Sequence, residues 1–156
     1  MNDNSKLNAS VDRLSNAMRD AYLLSNDEHG RKSKIDARIQ EFFSYGKNWD
    51  GDGAKEIPSS AIYQSLNFLN KFRSRFFGKE PTSAAPSPDG EVVLYWYNFA
   101  GYAEINFNGN RKLSMCCDYE SDEIQLIEED FETVVNSDTS QVWKVLSNFL
   151  AQNDRE

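Results

Sequence analysis

The chain has 156 residues, of which 39% are hydrophobic, and it carries ten Phe, seven Tyr and three Trp, enough large apolar groups for one packed core without disulfide or metal support. Its net charge of −8 is unevenly placed: residues 1–80 hold thirteen Lys and Arg against eleven Asp and Glu, whereas residues 81–156 hold four against fourteen. That balance disfavours general binding to phosphate backbones. No window approaches a membrane span and the start, Met1 to Lys6, has no apolar signal core, so a cytoplasmic protein without membrane contact is expected.

Leu7, Val11, Leu14, Met18 and Ala21 recur at spacings of four and three, the stripe of one helical face and the seam pattern of a short coiled coil. This segment, within residues 1–30, is read either as core cover or as a homodimer or partner helix through residues 7–21. Turn formers from Ser25 to Gly30 break the period, and Ile35, Ile39 and Phe42 resume it up to Tyr45 and Gly46. Beyond the turn Asn48-Trp49-Asp50-Gly51-Asp52-Gly53-Ala54, a helix opens near Pro58-Ser59-Ser60. Ile62, Leu66, Leu69, Phe72 and Phe76 form one side of it, and Arg73, Arg75 and Lys79 gather at its end.

Pro81 to Pro88 has connector composition, closed by the turn Ser87-Pro88-Asp89-Gly90. Three strand-like runs follow, Val92–Tyr97, Tyr102–Phe107 and Lys112–Cys117, the last two joined by Asn108-Gly109, a tight-hairpin signal. A fourth strand is expected near Glu123 to Ile127. Asp138-Thr139-Ser140-Gln141 has capping-box spacing before a final amphipathic helix built on Val142, Val145, Leu146, Phe149 and Leu150. The expectation is a single α+β domain over residues 1–156. It is an antiparallel meander of about four strands packed against amphipathic helices, N-terminal and C-terminal to it.

The turn Asn48-Trp49-Asp50-Gly51 with Gly53-Ala54, the segment Pro86 to Gly90, the strand holding Trp96 and the strand holding Glu104-Ile105 together resemble a group of small bacterial proteins. That group is marked by an N-W-D-G-x-G-A turn, and the likeness spans about residues 45–115. The resemblance implies a bacterial, plasmid or phage origin and an α+β fold, and it donates no catalytic residues. The group tolerates other residues where Asp52 stands.

Asn48, Asp50, Asp52, Gly53 and Glu56 mimic the opening of a calcium loop, but position eight is Lys55 and position twelve is Ser59, where the bidentate Glu would be needed. Trp49, Asp50, Gly51 and Gly53 are therefore read as a structural turn. His29 is the only histidine, which leaves triad chemistry and histidine metal sites little support. Cys116 and Cys117 are adjacent, too strained to bridge in an extended segment, and lie in no nucleophile signature. No metal or cofactor is called for.

The most distinctive run is Asp118, Glu120, Asp122, Glu123, Glu128, Glu129, Asp130 and Glu132, uninterrupted by Lys or Arg. Such a run serves either as a solvated rim or as a negative surface for a partner protein with a basic, nucleic-acid-binding groove. The preferred expectation is a non-enzymatic protein-binding module, antitoxin-like or inhibitory, using this acidic segment and exposed aromatics. Two alternatives stand beside it: a small enzyme using carboxylates around the Asn48–Ala54 turn, and a nucleic-acid binder through Lys71, Arg73, Arg75 and Lys79.

Overall fold

The computed structural model describes residues 34–77, 79–99, 101–119 and 123–152. The chain divides into two units, Met1–Lys34 and Ile35–Glu156, and the fold below is that of the second. The helix expected over residues 7–21 lies outside the described residues.

Period-two alternation makes the sheet. In β2 (Glu91–Asn98), Val92, Leu94 and Trp96 are buried while their neighbours are not; β3 (Gly101–Phe107) buries Ala103, Ile105 and Phe107; β4 (Lys112–Tyr119) buries Leu113, Met115 and Cys117. β5 (Gln125–Asp130) pairs antiparallel with β4, and β1 (Ser83–Ser87) pairs antiparallel with β2. The order β1-β2-β3-β4-β5 is a five-stranded meander within an α+β fold, one strand more than expected. The additional strand, β1, falls inside the Pro81–Pro88 connector. Its Pro86 sits opposite Val92 on an edge strand, where a missing N–H costs no inner ladder bond.

The helices are α1 (Lys34–Glu41, running into a 3-10 turn Phe42–Ser44), α2 (Ser59–Arg75), α3 (Phe131–Asn136) and α4 (Gln141–Ala151). α2 buries Ala61, Ile62, Leu66, Phe68, Leu69 and Phe72, the stripe of its three-and-four spacing. Phe68 stacks on Trp143 of α4 with centroids 4.8 Å apart and planes 8° from parallel, and it meets Phe107 of β3 at 5.4 Å. Phe72 meets Trp96 of β2 at 5.5 Å. The core therefore lies between the buried side of the sheet and the helices. α3 was not expected: Asp130 caps it by accepting from the Thr133 N–H, and Phe131 and Val134 anchor it. At α4 the capping residue is Ser140, which accepts from the Trp143 N–H, and not Asp138 as the box spacing suggested.

The Asn48–Ala54 turn closes on itself. Asn48 (φ 60°), Gly51 (φ 76°) and Gly53 (φ 85°) take positive φ; Asp50 Oδ1 accepts from the Asp52 and Ala54 amides at 2.8 and 3.0 Å, and Asn48 Oδ1 from the Gly53 amide at 2.6 Å. The Trp49 indole N–H donates to the Lys55 carbonyl at 3.0 Å. The Lys55 amide donates to the Pro88 carbonyl at 2.8 Å, joining this turn to the one at Ser87–Gly90. The Asp52 and Ala54 amides hold the Asp50 carboxyl below the ordinary carboxylate range.

A clamp ties α1 to the end of α2. Arg73 sends Nη1 to the Asp36 carboxylate at 3.1 Å, and Nε and Nη2 to Glu80 at 2.8 to 3.0 Å; Asp36 is 2% exposed. The fork geometry suits a guanidinium and not an ammonium. Arg73→Ala leaves a buried carboxylate without its guanidinium and lowers unfolding free energy by about 3 kcal/mol, with Arg73→Lys recovering only part of it, as urea denaturation would measure. Gly53→Ala meets no neighbouring atom, so its cost, read by the same assay, is the backbone strain alone, roughly 1 kcal/mol.

Candidate functional site

Directly opposed residues in an antiparallel ladder share a face, so the register that fills the core also defines the opposite side of the sheet. One row runs Ser83, Tyr95, Glu104, Cys116, Leu126 across all five strands. The next row, toward the β2–β3 hairpin, holds Tyr97, Tyr102 and Asp118; the row on the other side holds Ala85, Val93, Asn106, Ser114 and Glu128. All of these side chains are half-buried or exposed.

The aromatic part of this face is contiguous. Tyr97 and Tyr102 have ring centroids 4.8 Å apart, Tyr95 and Tyr97 5.7 Å, and Tyr95 and Tyr102 6.4 Å. Tyr97 is 63% exposed, Phe99 projects from the hairpin tip at 76%, and at the other side Ile124 and Leu126 are 59% and 78% exposed. The Tyr102 hydroxyl donates to Glu104 Oε2 at 2.7 Å. Burial and that carboxylate push the Tyr102 phenol above its ordinary value, and burial, Glu104 and Asp118 do the same to the Cys116 thiol.

Between β3, β4 and β5 lies a shallow groove of about 340 Å³, lined by Glu104, Asn106, Ser114, Cys116, Leu126 and Glu128 among others. Asn106 Oδ1 is enclosed there with no hydrogen-bond partner among the described residues. Among the described outward strand positions the one cation is Lys112, which pairs with Glu128 at 3.4 Å. The carboxylates on the same side that no helix amide engages are Glu91, Glu104, Asp118 and Glu128, so this face has a negative potential.

The described members of the acidic run differ in what they contact. Asp118 lies on the sheet face beside Tyr102, Glu123 is exposed just before β5, and Glu128 borders the groove. Glu129 instead accepts from the Val142 amide at 2.6 Å, holding the start of α4. Asp130 caps α3 and pairs with Arg111 at 2.7 Å; that guanidinium and the Thr133 amide keep its carboxyl below the ordinary range. Glu132 accepts from Asn136 within α3 at 3.2 Å. Carboxylates at helix N-termini satisfy free amides, which is why Glu129 and Asp130 serve the fold. Glu120, Asp122 and His29 lie outside the described residues.

The two arginines at the end of α2 are likewise engaged. Arg73 is held in the Asp36–Glu80 clamp, and Arg75 pairs with Asp138 at 2.6 Å while its guanidinium lies 4.8 Å from the Trp143 ring centroid. The turn at Asn48–Ala54 directs Asn48 Oδ1 and Asp50 Oδ1 at its own amides, and among the described residues no three His, Cys, Asp or Glu side chains gather to hold a metal. No helix among the described residues is long and apolar enough to cross a membrane. The sequence signal for the tyrosine face was present in the alternation Tyr95-Trp96-Tyr97, whose central residue faces the core.

Comparison with protein-family models, curated proteins and solved structures finds no match for this chain.

The environment of Cys116 makes it a poor nucleophile, while Cys117 is buried. Alkylation of Cys116 by iodoacetamide near pH 8.5, the ordinary thiol value, runs several-fold slower than that of a free thiol. Glu104→Gln removes one of the charges opposing thiolate formation and speeds the reaction, which stopped-flow labelling would show.

Proposed function

We propose that the chain is a non-enzymatic protein-binding module, acting as an antitoxin-like or inhibitory partner in a bacterial, plasmid or phage setting and in the cytoplasm, and that its contact surface is the outward face of the sheet. The observation that carries this reading is the contiguous ring cluster of the exposed Tyr97 with the half-buried Tyr95 and Tyr102, on the same sheet face as the exposed Leu126 and as Glu104 and Asp118. Aromatic anchors bordered by charge are the composition of a recognition patch, and they combine large contact area with few rotamers to freeze.

The acidic contribution in this proposal comes from Asp118, Glu123 and Glu128, with Glu104 added, because Glu129 and Asp130 accept amides at helix starts. The enzyme reading gains nothing from the turn, since Asp50 Oδ1 and Asn48 Oδ1 already accept backbone amides. The nucleic-acid reading at residues 71–79 loses two guanidinium groups to internal pairs.

The test is affinity capture from the native host with quantitative mass spectrometry, comparing the parent chain with the double variant Tyr97→Ser, Leu126→Ser. Loss of the captured partner by about tenfold or more is expected, with an unchanged thermal melt. Undiminished capture by the double variant would sink the proposal. Glu129→Lys should instead lower the melting temperature, because it removes the acceptor at the start of α4.

A further inference from the structure

Resting on that reading, we propose that the element of the partner that docks here is an arginine-bearing segment, with a guanidinium laid on the exposed Tyr97 ring and paired to Glu104 and Asp118. The face combines a π surface with carboxylates, and among the described residues no cation stands in its two aromatic rows. Phosphate groups and anionic lipid surfaces are repelled by it. A purely apolar helix would bury Glu104 and Asp118 without partners.

The spacing of the rings selects the kind of cation. At 4.8 to 6.4 Å between centroids the three tyrosines touch one another and leave no gap for an ammonium or methylammonium group to enter, so they form a ledge and not a cage. A planar, weakly hydrated guanidinium stacks on one ring of that ledge, the exposed Tyr97, from whose plane Tyr102 is tilted by 52° and Tyr95 by 83°; a compact, strongly hydrated ammonium gains less. The carboxylates then stand where the N–H fork needs them. Glu104 is the direct cross-strand neighbour of Tyr95 and Asp118 that of Tyr102. Glu104 Oε2 is fixed by the Tyr102 hydroxyl, and Oε1 makes no hydrogen bond among the described residues. Burial raises the Tyr102 phenol and the Cys116 thiol first, and Glu104 adds to it in both.

The experiment titrates the full chain with fluorescein-labelled octa-arginine and, separately, octa-lysine, by anisotropy at about 150 mM salt. Octa-arginine should bind more tightly than octa-lysine by roughly fivefold, and Tyr97→Ser and Glu104→Gln should each weaken octa-arginine by roughly fivefold. Tyr97→Phe, which keeps the ring, should recover the affinity that Tyr97→Ser loses, Glu56→Gln, an exposed carboxylate outside the sheet, should bind as the parent does, and all variants should share the parent's circular dichroism melt. Equal affinity for the two peptides, or octa-arginine binding that ignores both Tyr97→Ser and Glu104→Gln, overturns the arginine inference. If host-partner capture is still lost in Tyr97→Ser, Leu126→Ser under that result, the protein-binding reading survives alone. A parent chain that sediments as a dimer and becomes monomeric on Tyr97→Ser also overturns it, by making a second copy the occupant.

Discussion

The contact on which the rest of this fold depends is the aromatic joint made by Phe68 and Phe72 of α2. Phe68 reaches α4 through Trp143 and the sheet through Phe107, while Phe72 reaches Trp96 on a neighbouring strand. Each ring carries a large buried area and a geometric preference, so one helix brings the sheet and the C-terminal helix to a common core. That commits the inward residues of β2, β3 and β4 to the helices. Their outward neighbours, Tyr95, Tyr97, Tyr102 and Glu104, are released from packing and become available for recognition.

Much of this was legible because simple periods carry it. Trp96 between two tyrosines, Ile105 between Glu104 and Asn106, and the stripe from Ile62 to Phe72 specify which side is buried without reference to anything distant. β1 was not legible: Ser, Ala and Pro have little strand propensity, and Ser83–Ser87 is ordered by its ladder with β2. α3 was not legible either, since six residues are too few to show a period, and the cap that starts it is one acid in a long acidic run.

The same limit applies to charge. Composition marks the stretch from Asp118 to Glu132 as acidic, but only the fold separates Glu129 and Asp130, turned toward helix amides, from Asp118 and Glu128, turned outward. Arg73 looked like an ordinary complement to a helix dipole. Its partner Asp36 lies far back in the chain, so the clamp could not be read from spacing. The turn at Asn48–Ala54 and the one at Ser87–Gly90 looked like separate punctuation, yet the Lys55–Pro88 bond makes them one joint. Gly90 is required there, because a Cβ would stand 3.0 Å from the Glu56 carbonyl oxygen.

The β3–β4 hairpin tip adds a constraint of another kind. The Gly109 amide donates to Gln64 of α2 at 3.0 Å, Gln64 returns a bond to the Asn110 carbonyl at 2.6 Å, and a Cβ on Gly109 would overlap Ser60. A strand that slips by one residue exchanges its two faces. Here such a slip would thrust Asn108 or Asn110 against the first turn of α2 and break both bonds to Gln64. The hairpin tip thus works as a key cut for one lock position, and the helix guards which side of the sheet the tyrosines occupy.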